Sequence, residues 1–119
     1  NAHAVHPNYT DRHELNNAPH INSGIVIKNN VNQRYASTAV SQLPIVHAAS
    51  ISGTQLQTFS SRNNIACGST IGPITATRLG IDTVDIGVPQ LAMHSVREMC
   101  GTQDPVDLIA LLSAYFSRE

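Results

Sequence analysis

Charge is scarce in this sequence: 13% of its 119 residues are Asp, Glu, Lys or Arg, and the formal net charge is -1. That leaves no basic footprint for nucleic acid and no charged face for a membrane surface. Lysine is scarcer still, with Lys28 standing alone among the basic residues against six arginines. The two cysteines, Cys67 and Cys100, have neither C-x-x-C spacing nor the density of a secreted disulfide scaffold. A reducing, cytoplasmic compartment is the expectation, with a single bridge left open. No apolar run approaches transmembrane length, and no signal-peptide pattern opens the chain. What is present is ordinary for one soluble domain with a sizeable core: 41% apolar residues and a mean hydropathy of -0.10. There is no internal repeat and no low-complexity tract. The chain opens on Asn1 inside a motif, which reads as a fragment or a processed product.

Residues 1–9 suit the end of a short strand, turned by Pro7-Asn8, and residues 10–23 are polar and aperiodic, a loop. Gly24-Ile-Val-Ile-Lys28 is a β-branched run bounded by Gly and by Asn29-Asn30, a buried strand. Ala36 to Ser50 carries Ala39, Val40, Leu43, Val46 and His47 near helical spacing. Pro44 either kinks that helix or sits in the first turn of a second one, and Gly53 ends it. Leu56–Ser60 alternates as a strand does. Ser69 to Leu79 suits a helix opened by Gly68-Ser69-Thr70 and closed by Gly80. Asp82–Gly87 reads as another strand. Asp104-Pro105-Val-Asp107 supplies an N-cap, a first-turn proline and an acidic third residue, after which Leu108, Ile109, Leu112, Tyr115 and Phe116 fall on one face. Alternating strands and helices argue for an α/β sandwich on a mixed or parallel sheet.

Few residues carry chemistry on their own. A histidine in Leu-Ala-Met-His94-Ser is more often a hydrogen-bonded core residue than a ligand, though a neutral imidazole suits zinc. His3 and His6, spaced i, i+3, would face opposite sides of a strand and make a poor metal pair; a structural hydrogen bond beside Pro7 is the better role for His6. Lys28 is either a solvated strand end or a partner for a carboxylate. Gly68-Ser69-Thr70 is a helix cap by default, and N–H groups at a helix start also suit a carbonyl or carboxylate. Cys67 has no thiolate-activating neighbour and reads as packing. Arg62 and Arg97 read as structural ion-pair residues.

Three segments together change the weight of these readings. Asn1-Ala-His-Ala-Val-His-Pro-Asn-Tyr9, Cys67-Gly-Ser-Thr-Ile-Gly-Pro73 and Gln90-Leu-Ala-Met-His94-Ser-Val-Arg-Glu98 resemble the aspartyl aminopeptidase family of dinuclear zinc exopeptidases. The resemblance covers nearly all of the chain but only the C-terminal part of that family's catalytic domain. It implies that His94 is a zinc ligand, one donor to a site of two Zn2+ ions. It further implies that His3, Lys28 and Tyr35 (in Gln-Arg-Tyr) line the substrate site, with Gly68, Ser69 and Thr70 beside them. No catalytic base falls within the chain. The resemblance puts the base, the other ligands (including an aspartate just before the Asn1 position) and the lid domain upstream. One segment departs from the family: Leu43-Pro-Ile-Val-His-Ala-Ala-Ser50 is proline-interrupted and uncharged where relatives carry a charged amphipathic helix.

The function so implied is removal of N-terminal Asp or Glu from peptides by metal-activated water, in a cytoplasmic homo-oligomer, with the isolated chain inactive. Two other readings stay open. The chain can be a non-catalytic α/β module that needs its upstream half, or part of a relative with a different N-terminal preference.

Overall fold

The computed structural model describes residues 1–14 and 16–117. In chain order the elements are β1 (Ala2–His3), a 3-10 turn (Thr10–Arg12), β2 (Ile25–Asn29), α1 (Leu43–Ser52), β3 (Leu56–Ser60), α2 (Gly72–Leu79), β4 (Ile86–Gly87), β5 (Pro89–Leu91), β6 (Met99–Cys100) and α3 (Asp104–Phe116). The strands form two small mixed sheets, so the α/β expectation holds. One has the order β3-β2-β4, with β2 parallel to β3 and antiparallel to β4. The other has the order β1-β5-β6, with β1 parallel to β5 and β5 antiparallel to β6.

β2 is the centre of the larger sheet, and its β-branched run is buried on both faces because something packs on each. Successive side chains alternate between the faces. Ile25 and Ile27 face Ile45, Ala48 and Ala49 of α1 and Leu111 of α3, in a cluster completed by Val88. Val26 joins Ala2, Tyr35 and Phe59 in a second cluster. Lys28 shares Val26's face by the same period, so the second cluster leads directly to the lysine.

α1 settles the alternatives left at Pro44: the helix starts at Leu43 with the proline in its first turn, and Gly53 closes it at φ +73. Four sequence expectations are corrected. α2 starts at Gly72, not Ser69, because Ser69 Oγ donates to the Arg34 carbonyl at 2.9 Å while Thr70 Oγ1 accepts from the Gly72 N–H at 3.3 Å. Gly68-Ser69-Thr70 is therefore a loop held to residue 34 rather than a helix cap. The expected strand over 82–87 is a strand only at Ile86–Gly87; just before it, the Asp85 carbonyl still accepts the Lys28 N–H at 2.9 Å, and Asp85 also exchanges hydrogen bonds with Ser37. Asp104 does not cap its own helix. Its carboxylate accepts from the Asn22 N–H at 3.0 Å and the Gly101 N–H at 2.9 Å, which draws it away from α3's free N–H groups. The core face of α3 is Leu108, Leu111 and Tyr115, while Ile109 is 67% and Phe116 77% exposed. Apolar residues occupy so much of this helix that periodicity alone allowed a stripe centred one position away.

Among the described residues, no helix is long and apolar enough to cross a membrane.

Candidate active site

A cavity of about 820 Å³ opens where the smaller sheet meets the second apolar cluster. Parallel pairing of β1 with β5 sets His3 opposite Gln90, and the β5–β6 hairpin then projects residues 92–98 over the opening. Every site residue expected from the sequence lines this one cavity: His3 from β1, Lys28 from β2, Tyr35, the loop Gly68, Ser69 and Thr70, and His94. They come from positions spread over ninety residues, and only the fold brings them together.

Lys28 is no solvated strand end. It is 8% exposed, its ammonium donates to the Asn1 carbonyl at 3.0 Å and lies 4.4 Å from the centroid of the Tyr35 ring. Burial holds the ammonium below the usual lysine range, and the nearby Asp85 carboxylate partly offsets this. Tyr35 packs edge-on against Phe59 and accepts a hydrogen bond from the Cys67 thiol at 3.2 Å. Burial raises its phenol above the ordinary value. Burial, then the neighbouring His13 and His94, lower His3, so its imidazole is neutral near pH 7. His6 does what was expected beside Pro7, accepting from the Asn8 N–H at 3.1 Å.

His94 sits in a loop of unusual backbone. Ala92 and His94 both have positive φ, +52° and +68°, a conformation that non-glycine residues adopt at a cost of order 1–3 kcal/mol each. Glu98 closes this loop by accepting the His94 N–H at 2.6 Å. That N–H, with the Gln90 side chain, holds the Glu98 carboxyl below the usual carboxylate range. The His94 side chain is exposed, and its ring nitrogens make no hydrogen bond among the described residues.

Among the lining residues that the sequence reading did not weigh are Arg12, His13 and Glu98, and it read Cys67 as packing alone. His13 is buried, donates through Nε2 to the His3 carbonyl at 3.1 Å, and leaves Nδ1 without a partner among the described residues. Glu98 was legible in principle, as a carboxylate four residues after His94 at the close of a short loop. It is the one carboxylate among the described lining residues, which include the two cations Lys28 and Arg12. The cavity thus favours an anionic ligand.

A stable zinc site takes three or four donors. No group of three or more His, Cys, Asp or Glu able to hold a metal occurs among the described residues. His94 is exposed and brings no second or third donor with it, so the described residues do not assemble a metal centre by themselves.

The sequence matches the M18 family, described as aminopeptidase I zinc metalloprotease, over residues 1–116, and the chain belongs to that family. It is 50% identical over 117 residues to a probable M18 family aminopeptidase 2 of Stutzerimonas stutzeri, covering 98% of this chain and 27% of that relative. A solved structure described as an Ape4–Nbr1 complex superposes at TM-score 0.94 with 45% identity, over 97% of this chain and 22% of that one. The S. cerevisiae mApe1 dodecamer superposes at 0.81 with 28% identity, over 98% of this chain and 25% of that one. The chain spans about a quarter of the length of the proteins it matches.

Proposed function

We propose that the protein is an aminopeptidase that removes N-terminal Asp or Glu from peptides, and that this chain forms the C-terminal portion of its catalytic domain. The observation that carries the reading is the convergence of His3, Lys28, Tyr35 and His94 on one cavity whose charged lining residues are Lys28 and Arg12 against Glu98. Lys28 pairs with the substrate's acidic side chain, and Tyr35 and His3 contribute hydrogen bonds. The loop Gly68-Ser69-Thr70 borders the peptide, and its polar groups limit how the substrate sits. His94 donates one imidazole to a centre of two zinc ions, the rest of whose ligands and whose general base come from the part of the protein outside this chain. Zinc, when bound, polarises a carbonyl and acidifies water.

Assembly into a homo-oligomer is part of the proposal. The mApe1 neighbour is a dodecamer, and apolar residues at the surface, such as Leu43 and Ile51 of α1, give other protein parts something to cover. We assign the protein to the cytoplasm on its two free cysteines.

The test is activity of the purified full-length protein on Asp-, Glu- and Leu-anilides, before and after a chelator. The reading expects acidic anilides to be cleaved fastest and the chelator to abolish cleavage until zinc is returned. Preference for Leu would leave the family intact and remove the acidic specificity. Chelator-insensitive cleavage would remove the metal role of His94.

A further inference from the structure

We propose that Cys67 is a positioning residue for Tyr35, its thiol orienting the phenol so that the phenolic proton is directed into the cavity. This rests on reading the cavity as a peptide-substrate site. The Tyr35 ring is 6% exposed and held on two sides, by the edge-on Phe59 ring at 6.1 Å between centroids and by the Lys28 ammonium at 4.4 Å. Those contacts fix the ring plane but leave the hydroxyl free to rotate about its C–O bond. Cys67 removes that freedom: its Sγ–H donates to Tyr35 Oη at 3.2 Å, the one hydrogen bond to that hydroxyl among the described residues.

A phenol has one proton to give and lone pairs to accept with. With the thiol occupying a lone pair, the proton is what Tyr35 has left to offer the space that both residues line. The thiol is itself fixed, because two residues further on Ser69 Oγ donates to the carbonyl of Arg34, the residue just before Tyr35, at 2.9 Å. Segments 67–69 and 34–35 are thus clamped at two points, one through the backbone and one through the phenol. A directed O–H donor is what a substrate carbonyl or carboxylate takes. Packing alone would need only the apolar bulk of Cys67 against Val26, Tyr35 and Phe59.

The two roles predict opposite orders of variants. Cys67→Ser keeps a donor and loses apolar character; Cys67→Val keeps apolar volume and loses the donor. In the full-length protein, kcat/KM is measured on whichever N-terminal residue wild type cleaves fastest, so an error about acidic specificity appears in wild type and leaves the comparison intact. The expected result is a Ser variant within about threefold of wild type and a Val variant about tenfold down, the size of one hydrogen bond. In a Tyr35→Phe background, Cys67→Val is expected to have no further effect, because the phenol through which it acts is gone. If the Val variant fails to fold, as judged by its melting curve, Cys67→Ala takes its place. The reverse order, or full additivity with Tyr35→Phe, overturns the proposal and returns Cys67 to packing. A wild type without aminopeptidase activity would overturn the reading of the cavity and this inference with it.

Discussion

The Lys28 ammonium lies 4.4 Å from the centroid of the Tyr35 ring, on a residue only 8% exposed. A buried cation needs partners, because desolvation penalises its charged form. Here they are the π-face of Tyr35 and the Asn1 carbonyl at 3.0 Å. Neither is an anion, and the nearby Asp85 carboxylate, which partly offsets the burial, does not line the cavity, so a counter-charge on the cavity side is still lacking. A ligand carboxylate would supply it, and this makes Lys28 the centre of the functional account.

Tyr35 gives a spectroscopic handle on that arrangement. Burial raises its phenol, so folded Tyr35 keeps a proton that the unfolded chain releases above about pH 10. In that window the native state binds more protons, and stability therefore falls as pH climbs from the ordinary phenol value toward the folded one. An absorbance titration should contain one late-titrating phenol among the three tyrosines, lost in Tyr35→Phe. No change in the titration beyond the loss of an ordinary phenol would count against the buried site.

Gly72 is a second test of the local structure. A Cβ there would overlap the Asp85 carboxylate, which accepts the N–H of buried Ala36 at 2.7 Å. Gly72→Ala should displace Asp85 and leave that N–H unpaired, costing about 1–3 kcal/mol. Urea unfolding of Gly72→Ala, Asp85→Ala and the double variant should give non-additive losses. A Gly72→Ala loss under about 0.5 kcal/mol, the range of an ordinary surface change, would mean that the carboxylate is not held there.

What the sequence made legible follows from range. The β2 run and the glycine ends of α1 and α2 depend on neighbouring residues and stand as read, while at Pro44 the structure takes one of the two alternatives the sequence left open, the helix start. The features that were missed depend on partners far along the chain. Ser69 is diverted from a cap by Arg34, Asp104 by Asn22, and Cys67 finds Tyr35. The convergence of His3, Lys28, Tyr35 and His94 is not contained in any spacing; it entered through the family resemblance, and the fold supplies its geometry. On α3 the apolar pattern was visible but its orientation was not. The corrected face predicts that Leu111→Ala, at a fully buried site, loses about 2–5 kcal/mol, while Ile109→Ala stays within about 0.5 kcal/mol. Equal losses in thermal unfolding would restore the face that periodicity suggested.

Zinc gives a prediction of weakness. With no group of three or more donors around His94 or elsewhere among the described residues, the isolated 119-residue chain should bind zinc poorly and cleave no peptide. Competition against a chelator measures this. Nanomolar affinity in the isolated chain would show that it assembles a site on its own.

The most direct measurement of the central claim is the ratio of kcat/KM for Asp- over Ala-initiated peptides, in the full-length protein and in Lys28→Met. Truncating one partner of a desolvated charge-assisted pair removes roughly 2–5 kcal/mol, on the order of thirty- to several-thousand-fold in that ratio. The account predicts a fall of at least that lower size, with cleavage of Ala-initiated peptides largely kept. A ratio that moves by less than about threefold, no more than a surface ion pair gives, would contradict it: Lys28 would then hold the cavity's shape without reading the acidic side chain.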